Sequence, residues 1–127
     1  MTENATESLY RRLGGYEAMT AATDDLLARL MADTRLRDYW KGASNDNQRR
    51  ARQLIVDFMT EAAGGPAYYT GCTMKASHEG MGIDERDWDA FMLHGAATLD
   101  HFGVSAPERE EVLAFFASLK ADIVEPH

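Results

Sequence analysis

The sequence predicts an all-α fold, and three observations carry that prediction. Apolar residues recur at i, i+3 and i+4 through almost the whole chain, the spacing that gathers side chains on one face of a helix. No segment alternates apolar and polar residues as a half-buried strand does. Breakers at Gly14-Gly15, Gly64-Gly65-Pro66 and Gly80 to Gly82 divide the chain into pieces of helical length.

Leu9 and Leu13 mark a short first helix that stops at Gly14-Gly15, since a helix end favours glycine. A second helix is expected from Tyr16 to Ala32, burying Met19, Leu26, Leu27, Leu30 and Met31. Asp33-Thr34 restarts the chain into a short piece carrying Leu36, Tyr39 and Trp40, and residues 42–47 form a loop that ends in good capping residues. The third helix is expected from Asn47 to Ala63, with Ala51, Leu54, Ile55, Phe58, Met59 and Ala62 along one face. Gly64-Gly65-Pro66 ends it.

Thr73 to Glu79 has room for one or two helical turns and presents His78 between Gly71 and Gly80, whose backbones are unusually free. Asp84 can cap a long helix to Phe102 with Trp88, Phe91, Met92, Gly95, Leu99 and Phe102 inward. Ser105-Ala106-Pro107-Glu108 has the capping-box spacing with its proline in the first turn. The last helix turns Val112, Phe116, Leu119 and Ile123 to the core.

A chain of 127 residues fits one domain. A flexible N-terminal tail is expected over residues 1–7 and a single domain over residues 8–124. The net charge of -8 argues against a nucleic-acid surface and against docking on anionic membranes. Arg49, Arg50 and Arg52 form the only basic cluster, a solvated helix face. The single cysteine, Cys72, has no internal disulfide partner. Residues 1–8 lack the apolar core of a signal peptide, and no run of about 18 apolar residues exists. A soluble cytoplasmic protein is expected.

A lone histidine is more often a surface residue than a ligand. His78 stands out because of its short element between breakers and because soft, bulky residues surround it on the expected stripes: Leu27, Trp40, Phe58, Met59 and Met74. No second histidine, cysteine pair or carboxylate cluster offers a competing zinc site. Haem needs only one protein nitrogen and an apolar slot.

The ordered set Leu9-Tyr10, Leu13-Gly14-Gly15, Glu17-Ala18, Gly64-Gly65-Pro66, Tyr69-Thr70-Gly71, Met74-Lys75, His78, Gly82-Ile83, Trp88-Asp89-Ala90-Phe91 and Gly103-Val104 resembles the group I truncated hemoglobins, from about Ser8 to Val124. The resemblance implies a truncated globin fold, two helices packed over two, enclosing a haem b. It implies that His78 is the proximal ligand of a pentacoordinate iron, with its other ring nitrogen bonded to a nearby acceptor. Met74 would touch the porphyrin face, with Phe58, Met59, Tyr69 and Ile83 as further haem contacts. Trp40 takes the place of the phenylalanine usual near the end of the short second element. Lys75 is either a partner for a haem propionate or a solvated lysine.

The sequence departs from the family on the opposite face of the haem. Many members carry a tyrosine on the second helix that donates to oxygen, and the matching position here is Leu27. The distal stripe of the third helix is Ala51, Leu54, Ile55 and Phe58. Dioxygen takes up partial negative charge on binding ferrous haem, and a donor there contributes about 1–3 kcal/mol. Without one, oxygen release should be faster and selectivity should shift towards carbon monoxide. Peroxidase-type cleavage, which needs a distal acid or base, is also disfavoured. Gln48, one turn before Ala51, and Arg52 are the polar groups that could reach the ligand. The third helix has no histidine, so it offers no second axial imidazole. His94, His101 and Cys72 are read as ordinary residues.

The expected function is reversible binding of a diatomic gas: dioxygen first, or carbon monoxide or nitric oxide. The sequence leaves open whether the protein is an enzyme. One alternative is nitric oxide dioxygenation with a separate reductase, since no flavin or nicotinamide module is present. Others are a gas sensor or interaction module, and a haem-free helical bundle.

Overall fold

The structure is a computed structural model of the chain and describes residues 8–40 and 44–125, apart from the side chains of Trp40 and Asn45. The expected tail over residues 1–7, the loop residues Lys41 to Ala43 and the terminal His127 lie outside these residues. All regular structure among the described residues is helical: α1 (Leu9–Leu13), α2 (Tyr16–Ala32), a 3-10 helix (Arg37–Trp40), α3 (Asn45–Ala62), α4 (Met74–His78), α5 (Glu85–His101), α6 (Ala106–Ser118) and α7 (Lys120–Ile123).

The long helices form two layers. α2 packs against α3, α5 packs against α6, and α2 also crosses α5. The buried apolar residues lie where the layers meet: Met19, Leu26 and Leu30 of α2, Val56 of α3, Trp88 and Leu99 of α5, and Phe116 of α6. Leu36 and Ile123 are buried as well. Apart from Val56, these positions follow the apolar stripes of the sequence, because a helix that hides one face must present i, i+3 and i+4 residues to its neighbour. Val56 lies off the stripe expected on α3, whose own residues are not fully buried.

Helix ends follow their capping chemistry. The Ser8 hydroxyl accepts from the Arg11 N–H, and Gly14 takes φ 117°, a left-handed end that a side chain would strain. At the start of α5, Asp84 and Asp87 each accept from the other's backbone N–H, so two otherwise orphaned donors are satisfied at once. The Gly64-Gly65 break does more than end α3. The Tyr10 N–H donates to the Ala63 carbonyl at 2.9 Å, docking α1 on the end of α3. A Cβ on Gly65 would lie 2.6 Å from the Tyr10 ring and 2.7 Å from Thr60 Cγ2.

Four expectations are corrected. α3 begins at Asn45 rather than Asn47, because the Ser44 hydroxyl accepts from the Asn47 N–H at 3.1 Å and caps the earlier turn. Phe102 is not inward: it is the residue that ends α5, it is 47% exposed, and its ring meets that of His101 edge-on. The Ser105 hydroxyl donates to the Glu108 carboxylate instead of accepting a backbone N–H, so the expected capping box does not form. The last helix is two, broken at Leu119, and its final piece α7 packs against α4.

The turn after α2 is held by polar joints that the apolar pattern does not reveal. His94 Nε2 and Asp33 Oδ2 lie 2.7 Å apart. The Tyr39 hydroxyl donates to Asp87 Oδ2 at 2.7 Å, and Arg35 Nη1 lies 3.3 Å from Asp87 Oδ1. Asp87 is 6% exposed. Burial raises its carboxyl, but bonds from Tyr39, its own cap and Arg35 prevail and hold it below the usual range. Tyr39 is pushed up to about 12, first by burial and then by the adjacent Asp87 carboxylate.

Two outcomes are expected. Gly65→Ala should destabilise the fold by roughly 1–3 kcal/mol through overpacking against Tyr10 and Thr60, read as a lower urea midpoint with an unchanged m-value. The Tyr39–Asp87 joint should give opposite signs at the two ends of the pH scale. Asp87's contribution is complete above the ordinary aspartate value of about 4 and is lost as pH falls through its lower folded value. Tyr39's is complete below the ordinary phenol value of about 10 and is lost as pH rises through the folded one. Ultraviolet titration should therefore show two late phenols in the wild type, Tyr39 and Tyr69, the latter raised chiefly by burial, and Asp87→Asn should bring only that of Tyr39 to lower pH.

Candidate functional site

A cavity of about 320 Å³ lies between the helical layers. Leu27 of α2 and Ala51, Leu54, Ile55, Phe58 and Met59 of α3 form one side of its lining. Met74 and His78 of α4, with Tyr69 and Ile83 of the flanking loops, form another part. The structure thus brings together the residues expected on both faces of the site. Gln48 is half-buried and Lys75 is exposed, and neither borders the cavity. The side chain of Trp40 lies outside the described residues. Arg52 is turned away to Asp24, with Nη2 at 3.0 Å from Oδ2, and that pairing holds Asp24 below the usual carboxylate range.

His78 is set by the short helix that carries it. The Thr73 hydroxyl accepts from the Ala76 N–H and starts α4, and His78 is its last residue. His78 Nδ1 lies 2.8 Å from the Met74 carbonyl oxygen and 3.0 Å from Ser77 Oγ. A carbonyl can only accept, so Nδ1 carries a proton and donates, and the tautomer this selects is the one whose lone pair is on Nε2. Nε2 has no hydrogen-bond partner among the described residues. Gly80 and Gly82, at φ 85° and 72°, let the chain turn sharply after the histidine. The turn is then fastened: the Gly82 N–H donates to Glu125 Oε1 at 3.1 Å, and the Glu125 N–H donates to the Ile83 carbonyl at 2.9 Å.

The wall opposite is mostly carbon, with Thr23 one helical turn before Leu27 as a polar member. Leu27, Ala51, Leu54 and Ile55 present no donor or acceptor side chain. Phe58 is held by Tyr69, their rings meeting edge-to-face at 5.2 Å and 76°. A second cavity of about 140 Å³ adjoins the first, and Thr23, Leu26, Ile55 and Met59 border both.

These residues fit a haem. A large apolar planar group needs two carbon-lined walls and one basic nitrogen for its metal. The cavity supplies the walls, and half-buried His78 has an Nε2 without a hydrogen-bond partner among the described residues. The bond from Nδ1–H to a backbone carbonyl is the outer-shell contact that fixes a ligating histidine's tautomer.

Sequence reasoning missed Tyr39, Asp87 and Ser77, which also border the cavity. Asp87 had a legible signal: it stands three residues after Asp84, the reciprocal capping distance. Tyr39 had none, because its partner lies 48 residues away.

Known proteins match this chain along most of its length. A family profile described as bacterial-like globin matches residues 8–125. The group 1 truncated hemoglobin of Mycolicibacterium paratuberculosis is 34% identical over 116 residues, covering 91% of this chain and 83% of that protein. That of Tetrahymena pyriformis is 34% identical over 102 residues, covering 80% of this chain and 82% of that protein. Among solved structures, the truncated hemoglobin of Tetrahymena pyriformis in its Fe(III) form matches with a TM-score of 0.85 at 29% identity, over 94% of this chain and 100% of that one. The 2/2 hemoglobin of a Synechococcus species, in the cyanomet state with covalently attached heme, matches with a TM-score of 0.83 at 28% identity, over 93% of this chain and 98% of that one. With its helices layered two over two, the chain belongs to the bacterial-like globin family, among the group 1 truncated hemoglobins.

Proposed function

We propose that residues 8–124 act as one domain that holds a haem b through His78 and reversibly binds a diatomic gas, dioxygen foremost. The observation that carries this reading is the tautomer lock on His78: Nδ1–H is used on Met74, which frees Nε2 beside an apolar cavity. Haem supplies the iron at which the gas binds. His78 would hold the iron through Nε2, and no other histidine borders the cavity among the described residues, which supports a pentacoordinate iron. Met74, Phe58, Met59, Tyr69 and Ile83 would provide apolar contact, and Lys75, exposed one residue beyond Met74, would pair with a propionate.

The distal wall governs selectivity. Leu27, Ala51, Leu54 and Ile55 exclude water without offering a hydrogen bond, and Arg52 is occupied by Asp24. A ligand that gains negative charge on binding therefore loses stabilisation relative to one that does not. Among the described residues no helix is long and apolar enough to cross a membrane. The exposed free thiol of Cys72 supports a reducing, cytoplasmic setting.

A second reading, nitric oxide dioxygenation, draws support from the adjoining cavity of about 140 Å³, which has room for a second small gas molecule beside the first. It requires a separate reductase. Sustained nitrate production with a cellular reductase would favour it; a single turnover that then stops would leave gas binding as the function.

Purified protein titrated with haem should give a Soret band, and His78→Ala should abolish or shift it. An unchanged spectrum and affinity in that variant would refute the axial assignment. Leu27→Tyr should place a donor over the ligand and slow oxygen release by roughly ten- to a hundredfold, with a smaller change for carbon monoxide. Equal slowing of both gases would show that Leu27 acts by shape alone.

A further inference from the structure

We propose that Tyr39 is a one-electron donor to the haem site and that Asp87 receives its proton, so that the pair drains oxidising equivalents left by a hydroperoxide. This inference rests on the haem reading above. Both residues border the same cavity as His78, from the 3-10 helix and from the first turn of α5. They are joined by the 2.7 Å bond from the Tyr39 hydroxyl to Asp87 Oδ2. Asp87 is buried and already holds two further donors, the Asp84 N–H at 3.2 Å and Arg35 Nη1 at 3.3 Å. These donors keep it a carboxylate, with lone pairs ready at the phenol.

The chemistry follows from the phenol. A protonated tyrosine is hard to oxidise, because removing an electron alone leaves a positive charge on the ring in a low-dielectric site. Loss of the electron turns the O–H group into a strong acid, and a carboxylate at hydrogen-bond distance takes the proton without any movement of water. The Tyr39 Oη–H bond breaks, an O–H bond forms at Asp87 Oδ2, and the electron leaves the ring as a neutral radical remains. Because the Tyr39 phenol stays protonated far above neutral pH, its proton must leave with the electron.

The electron count closes with a hydroperoxide as oxidant. Cleavage of its O–O bond consumes two electrons and two protons and yields water and an alcohol, or two waters from hydrogen peroxide. Of those two electrons Tyr39 would give one and a haem held by His78 the other, with solvent supplying the two protons. A small reductant such as ascorbate later returns both electrons and releases two protons to solvent, and Tyr39 recovers its own proton from Asp87. The apolar distal wall makes the cleavage slow, and the Tyr39–Asp87 pair decides where the oxidising equivalents go.

No other tyrosine among the described residues donates to a carboxylate. The Tyr69 hydroxyl donates to the Cys72 carbonyl, and Tyr16 accepts from Gln53. The radical therefore has a signature of its own. A phenoxyl that accepts from a carboxylic acid carries an exchangeable proton coupling that disappears in deuterium oxide.

The test mixes haem-loaded ferric protein with hydrogen peroxide, freezes samples over seconds to minutes, and records electron paramagnetic resonance. The wild type should give a neutral tyrosyl signal with that exchangeable coupling. Tyr39→Phe, which keeps the ring in place, should lose it. Asp87→Asn should lower its yield at least fivefold and remove the coupling. A structural clamp alone predicts none of these spectral changes. A signal of equal size in Tyr39→Phe, a tryptophanyl signal from Trp88 in the wild type, or a wild-type tyrosyl lacking the exchangeable proton would each overturn the proposal. Should a variant fail to fold, the wild-type coupling decides the matter. A wild type that takes up no haem overturns the gas-binding reading itself, whereas haem uptake without this radical overturns only the role of Tyr39.

Discussion

The fold is organised around a space that its side chains do not fill. Protein interiors normally interdigitate to the density of an organic crystal, but the apolar stripes of α2, α3 and α5 converge on a cavity of about 320 Å³. Walls that face a cavity do not interdigitate with one another across it, so the helices that carry them must be joined elsewhere. Those joints are polar and lie at the edges. Arg12 reaches from α1 to Glu111 of α6 at 2.5 Å, and Thr98 of α5 donates to Asp25 of α2 at 2.7 Å. His94 pins α5 to the end of α2, and Tyr39 pins the 3-10 helix to Asp87. An exposed ion pair contributes little by itself. Here the joints set where the helices meet, and their partly buried members add direction that carbon cannot.

The two faces of the site are controlled at different ranges. On one, a single helical turn suffices: Met74 and His78 are four residues apart, so the carbonyl that orients the imidazole arrives with the helix itself. On the other, the surface exists only because α2 and α3 are packed together, and its character is the sum of residues from both. The first face resists change, since any α4 that forms also orients its histidine. The second is open to variation one side chain at a time, and Leu27 is such a variation. The orientation of the imidazole and the polarity of the facing wall are thereby separable properties of one cavity.

This division also explains how much was legible in the sequence. Helical periodicity placed every long helix, and local spacing placed the cap at Asp84 and the turn that bears His78. Local chemistry was misread where two partners competed for one group. Ser105 chose the Glu108 carboxylate over a backbone N–H, and Ser44 captured the helix start that had been placed at Asn47. Phe102 followed the periodicity on paper, but the helix ended beneath it and left the ring outside. The apolar wall was readable because its residues lie on stripes that must face inward. The withdrawal of Arg52 to Asp24 and the joining of Tyr39 to Asp87 were not, since each depends on which helix lies opposite at a separation of 28 and 48 residues.

The fastening of Gly82 and Ile83 by Glu125 has a consequence for how the molecule comes into being. The turn that completes the histidine's surroundings closes on a residue 43 positions further along the chain. Contacts of such separation form late, because the entropy of closing the intervening loop must be overcome before the bonds are made. In vectorial synthesis the histidine emerges, and α4 can form, well before its retaining strap exists. Until residue 125 is available, the site has its histidine but not its final shape.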